Sequence, residues 1–213
     1  MRVLFVCLGN ICRSPTAEGV LRHQLAAEGL GELIEVASAG TSDWHVGKQP
    51  DSRTRRAAQL RGYDLSQQRA QQVKAGHFND YDLILAMDNS NLGHLRAMQP
   101  AGAKAELDLF LRRYEGVLDE VPDPYYGGEQ GFEQVLDLIE VACRQLVIEL
   151  KGRLRAGSGR SRSRSSRTTP LLSMSGRAIS PKRTMMTMSA RPWPMPCNRM
   201  CQCWSSAVAA TCC

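Results

Sequence analysis

Residues 2–19, RVLFVCLGNICRSPTAEG, set an apolar run, a polar loop with two cysteines and a helix-like segment end to end. Residues 3–6 suit a buried strand. Residues 15–28 suit a helix, because Ala17, Leu21 and Leu25 share one face and Gly29 follows as a stop. A loop that leaves a strand and enters a helix at the carboxyl end of a parallel sheet is where such folds bind ligands.

The remainder of the first 154 residues repeats this alternation, which predicts an α/β domain with a parallel sheet. Residues 33–37, 82–87 and 107–111 read as further strands. Residues 51–61 read as a polar helix ending at Gly62, and Asp88 with Asn89 as the N-cap of another. From Phe132 through Val135, Leu136, Ile139, Cys143, Leu146, Val147 and Leu150, apolar residues keep helical spacing, so a long amphipathic helix covers one face of the sheet.

The loop itself is suited to holding an anion. Gly9 and Asn10 tolerate positive φ, which lets successive backbone N–H groups turn inward as a nest. Ser14 is expected to cap the helix and Pro15 to open its first turn, so the positive end of the helix dipole faces a dianion such as phosphate. Arg13 adds a planar fork for two phosphate oxygens. Cys7 then lies beneath the phosphorus, and a thiol in so positive a field readily becomes a nucleophilic thiolate. No Gly-Lys-Ser/Thr follows, so the loop is not one for a nucleotide and its magnesium. A thiol-phosphate intermediate needs a proton donor for the leaving oxygen and a base for water. Asp123, held between prolines in VPDPYYGG (residues 121–128), is the candidate.

The chain divides by charge. Residues 1–150 hold 15 Lys+Arg and all 21 Asp+Glu, whereas residues 151–213 hold 12 Lys+Arg and no acid. Only Cys7, Cys12 and Cys143 fall in the first part, too few for a disulfide framework, so a reduced, cytoplasmic setting is expected. The apolar start is too short for a signal sequence, and no run reaches the roughly 18 apolar residues of a membrane span. His23, His45, His77 and His94 lack metal-ligand spacing, so no metal is expected and surface or packing roles are assigned to them.

VLFVCLGNICRSPTAEG, TSDWHVG, YDLILAMDNSNL and DPYYGG, in this order along residues 1–154, resemble the low-molecular-weight protein-tyrosine phosphatases. The resemblance implies a flavodoxin-like, three-layer α/β fold with a four-stranded parallel sheet and helices on both faces. It also implies cofactor-free hydrolysis of phosphotyrosine through a cysteinyl-phosphate. By position Cys7 resembles the nucleophile, Arg13 the phosphate clamp, Ser14 the hydroxyl that stabilises the thiolate, and Asp123 the general acid and base. The phosphate loop would comprise Leu8, Gly9, Asn10, Ile11 and Cys12 with Arg13 and Ser14. Asn10 resembles the residue that holds the loop's shape, with Ser38 as its partner, and Trp44 and Tyr125 the aromatic walls. Cys12 resembles a redox-protecting neighbour that traps an oxidised Cys7 as a disulfide. Phosphotyrosine proteins are the implied substrates, inorganic phosphate the product, and an opposing tyrosine kinase the implied partner; no membrane is involved.

Two positions depart from the pattern. Gln68 stands where the family usually has a histidine behind the loop, and Gln71 where it has an arginine. Reduced loop rigidity or rate is expected, since glutamine still donates and accepts. Arsenate reductases share the first cysteine loop but need further cysteines, and none lies between Cys12 and Cys143. Arginine phosphatases of this fold have a small threonine where this chain has Ile11, which suits an aryl substrate better.

Residues 155–213 are rich in Arg, Ser, Met and Cys without periodicity, and are expected to be disordered. RSRSRSSR would contact nucleic acid if the tail is genuine. The abrupt loss of acid favours a shifted reading frame instead.

Overall fold

The computed structural model describes residues 1–114, 118–126 and 128–159. Its elements run β1 (Arg2–Cys7), α1 (Arg13–Ala27), β2 (Glu35–Gly40), α2 (Ser52–Leu60), α3 (His77–Asp80), β3 (Leu83–Ala86), α4 (Asn89–Met98), β4 (Glu106–Leu109) and α5 (Glu129–Gly159). All four strands are parallel, in the order β2-β1-β3-β4. This is the doubly wound, flavodoxin-like order, in which the chain reverses direction of growth beside β1 and opens a ligand crevice there.

Alternation along the strands builds two cores. Val3, Phe5 and Cys7 of β1 face α1 and α5, packing with Leu21, Leu25, Ile139, Cys143 and Leu146. Leu4 and Val6 face the other side, where Phe78 of α3 and Leu92 and Leu95 of α4 cover them. Helices thus lie on both faces of the sheet, as the sequence predicts.

Several boundaries differ from the sequence reading. β2 begins two residues later than expected and runs to Gly40, because its pairing with β1 carries Gly40 opposite Cys7. β4 begins at Glu106 and ends before Phe110. The helix α3 has no period to betray it, being a single turn that buries Phe78. α5 extends to Gly159, past the expected change at residue 155. The expectations for residues 160–213 lie outside the described residues. No helix among the described residues is long and apolar enough to cross a membrane.

Ile139 is fully buried where α5 meets the sheet. Ile139→Ala should cost about 2–5 kcal/mol through lost transfer energy and the cavity left behind. Urea unfolding checks this as a lower midpoint with an unchanged slope.

Candidate active site

β1 delivers Cys7 to the carboxyl edge of the sheet, and residues 8–12 connect it to α1. The loop is shaped by where its carbonyls go. The carbonyl of Cys7 accepts from Thr41 N–H (2.9 Å), that of Leu8 from Ser42 N–H (3.0 Å), and that of Ile11 from Asp51 N–H (2.9 Å). The Cys12 carbonyl accepts from Thr16 through its N–H (3.2 Å) and hydroxyl (2.8 Å). In a trans peptide the C=O and the following N–H point opposite ways. Anchoring these carbonyls to the surrounding structure therefore turns the amides of residues 8, 9, 12 and 13 to the other side, as an anion nest requires.

Asn10 adopts φ 55°, the sole positive φ of a non-glycine residue among those described. Asparagine tolerates that conformation better than most residues. Its N–H donates to Cys7 Sγ (3.2 Å), while its Nδ2 donates to Ser14 Oγ (2.9 Å) and to Ser38 Oγ (2.8 Å). Its Oδ1 accepts from the Gln71 N–H (2.9 Å). Gly40 must be a glycine here, since a Cβ would sit 2.8 Å from the Leu8 carbonyl oxygen.

Ser14 does not cap α1. The helix begins at Arg13 with Cys12 as N-cap and no side-chain cap bond. The Ser14 hydroxyl is instead 3.0 Å from Cys7 Sγ and 3.3 Å from the Ala39 carbonyl. Pro15 fits the first turn, where the N–H it lacks has no intrahelical partner.

Arg13 is buried, with its guanidinium spread over two carboxylates. Nη1 donates to Asp88 Oδ2 (2.6 Å) and to the Val121 carbonyl (3.2 Å), and Nη2 to Asp123 Oδ2 (3.4 Å). Burial alone lowers the guanidinium's pKa, but Cys7, Asp88 and Asp123 together outweigh it and hold Arg13 above its ordinary value. Asp88 is the expected cap of α4, its Oδ1 accepting from Asn91 N–H (2.7 Å). Its second oxygen orients Arg13, a role the cap reading left out.

A pocket of about 200 Å³ opens over this loop, lined by Cys7, Cys12, Arg13 and Asp123 below and by Trp44 and Tyr125 at the mouth. Trp44 is 68% exposed and Tyr125 40%, as fits walls rather than core. His45 and Tyr126 also line the pocket, with His45 half-buried beside the loop. Its nearness to the loop rests on contact with Gly9, which the spacing of histidines in the sequence could not reveal. Burial pushes the Cys12 thiol up to about 12.

Behind the loop, Ser38 Oγ donates to Glu18 Oε2 (2.6 Å), and Arg22 pairs with the same carboxylate (2.9 Å). Sequence reasoning missed Glu18, although Ser14 and Glu18 are one turn apart and so share a helix face. Gln68 Nε2 donates to the Pro15 carbonyl (3.1 Å), while its Oε1 is buried without a partner among the described residues. Gln71 Nε2 reaches the Ser38 carbonyl (2.9 Å). Both glutamines thus join the scaffold, one of them incompletely.

The sequence profile of the low molecular weight phosphotyrosine protein phosphatases matches residues 2–156. A putative low molecular weight protein-tyrosine-phosphatase of Synechocystis is 47% identical over 152 residues, covering 70% of this chain and 96% of that protein. Its counterpart in Streptomyces coelicolor is 43% identical over 155 residues, covering 70% and 93%. A crystal structure of a protein tyrosine phosphatase from Entamoeba histolytica, with Hepes in the active site, matches with a TM-score of 0.68 and 42% identity over 71% of this chain and 97% of that one. The chain belongs to the low molecular weight phosphotyrosine protein phosphatase family, a class of hydrolases.

Glu18 offers a pH test of the scaffold. Burial raises its pKa above the ordinary 4.5, with hydrogen bonds from Ser38 and the Arg22 charge opposing. A carboxyl with a raised folded pKa destabilises the fold in its charged form, so the penalty is absent below about 4 and grows as pH rises through the folded pKa. Glu18→Gln should therefore match the wild type in thermal unfolding at pH 4 and gain on it toward pH 7.

Proposed function

We propose that this protein hydrolyses phosphotyrosine in proteins by way of a cysteinyl-phosphate on Cys7. The observation that carries the reading is the convergence of Cys7, the Arg13 guanidinium and the Asp123 carboxyl on one pocket with aromatic walls. The loop amides and Arg13 bind the phosphoryl oxygens, and Trp44 and Tyr125 flank the phenyl ring.

The Cys7 thiolate attacks phosphorus, forming the S–P bond as the P–O bond to the phenol breaks. Asp123, in its acid form, gives its proton to the departing phenolate. As carboxylate it then takes a proton from water, whose oxygen attacks phosphorus. The S–P bond breaks, releasing inorganic phosphate and returning the thiolate, which the Ser14 O–H steadies by a hydrogen bond. Asp88 keeps Arg13 aimed throughout, and Asn10 with Ser38 keeps the loop in shape.

The Cys12 thiol is not the nucleophile of this cycle, since burial raises its pKa. We assign it to redox protection: once peroxide has made Cys7 a sulfenic acid, the Cys12 sulfur bonds to the Cys7 sulfur as its own proton passes to the departing hydroxide, giving a disulfide and water. The three thiols among the described residues are free and buried, which supports a reducing, cytoplasmic setting. The substrate class implies an opposing tyrosine kinase.

Hydrolysis of aryl phosphates and a phosphotyrosine peptide in metal chelator tests the reading. Cys7→Ser should abolish turnover, and Asp123→Ala should slow it by about 10²-fold or more, the contribution of a general acid. Phosphoarginine should be the poorer substrate; a preference for it would overturn the aryl assignment. Separately, mild peroxide should yield a Cys7–Cys12 linked peptide by mass mapping and an activity loss that thiol reverses.

A further inference from the structure

We propose that Arg53 is a positioning residue for this reaction, holding Tyr125 and, through it, Asp123 in place over the phosphate loop. The inference rests on the phosphatase reading and extends it to a residue outside the pocket lining.

Asp123 and Tyr125 flank the buried Pro124, but their own side chains are not fixed by burial: the Asp123 side chain is 42% exposed and Tyr125 40%. Their positions therefore depend on directional contacts. Arg53 supplies several with one planar group. Its Nε donates to Asp51 Oδ1 (3.0 Å) and its Nη2 to Asp51 Oδ2 (3.1 Å), a two-point fork. Its Nη1 donates to the Tyr125 carbonyl (3.1 Å). The guanidinium carbon also lies 5.4 Å from the Tyr125 ring centroid and 4.9 Å from that of Phe132, within range of cation–π attraction.

Both ends of this arrangement are anchored. Asp51 donates its N–H to the carbonyl of Ile11, inside the phosphate loop, and its side chain caps α2. Phe132 is buried in the first turn of α5. At the far end the Tyr125 N–H donates to Asp123 Oδ1 (3.1 Å). A continuous series of contacts thus runs from the phosphate loop through Asp51, Arg53 and Tyr125 to the general acid. Arg53 joins the loop's support at Asp51 to the acid's segment at Tyr125, beside the direct contact of Arg13 with Asp123. A lysine keeps the charge but lacks the planar fork that serves Asp51 and Tyr125 together.

The test compares wild type, Arg53→Ala and Arg53→Lys, as full chains, on aryl phosphates whose leaving phenols span a range of pKa, with inorganic phosphate as competitive inhibitor. Proton donation matters most for basic leaving groups. Both variants should lower kcat by at least about tenfold for phenyl phosphate, less for p-nitrophenyl phosphate, and raise KM for each, a partial loss of what a general acid contributes. The inhibition constant of phosphate, which reads the loop alone, should stay within about twofold, since a uniform loss of binding would appear there too. Equal losses on all leaving groups, a phosphate constant that weakens along with kcat/KM, or full rescue by lysine would overturn the inference. An inactive wild type would instead overturn the functional reading on which it rests.

Discussion

The side-chain amide of Asn10 is the contact on which the loop's geometry depends. It joins Ser14 at the start of α1, Ser38 on β2 and the backbone of Gln71, while its own N–H meets the Cys7 sulfur. It can do so only because residue 10 takes a left-handed conformation, which swings the amide back beneath the loop. The parallel sheet makes this economical of chain: β1 and β2 end side by side, with Cys7 opposite Gly40. A side chain at Gly40 would collide with the loop backbone.

Charge around the loop is arranged in two layers. In front, Arg13 faces Cys7 with Asp88 and Asp123 on its flanks, so one cation is shared by a thiol and two carboxylates. Behind, Glu18 is buried with Ser38 and Arg22 as its partners. Hydroxyls and amides, not further charges, link the two layers. Neutral hydrogen-bonding groups fix the donors' directions without adding unpaired charge to the interior. Of the loop's two cysteines, Cys7 accepts from the Asn10 N–H, and burial raises the pKa of the Cys12 thiol.

Much of this was legible in the sequence because the physical signals were local. The run VLFV, the glycine and asparagine after Cys7, and Pro15 sit within a few residues of one another, and each has a backbone reason to be there. The long apolar stripe of α5 declared itself by period alone. What stayed hidden was long-range. Asp88 looked like a cap and is one, but its tie to Arg13 spans 75 residues. Ser14 looked like a cap and is not, because its hydroxyl finds Cys7 instead of the helix backbone. Gly40, Glu18, His45 and Arg53 make contacts between segments far apart in the chain, for which no spacing rule exists. The single turn of α3 was too short to show a period.

The central claim is that phosphorus becomes bonded to the Cys7 sulfur during turnover. Acid quenching of the full chain during hydrolysis of a ³²P-labelled phosphotyrosine peptide, followed by peptide mapping, tests it most directly. The account predicts label on the peptide bearing Cys7, and none in Cys7→Ser. Label on another residue, or steady turnover with no labelled protein under quenching fast enough to trap it, would contradict the account.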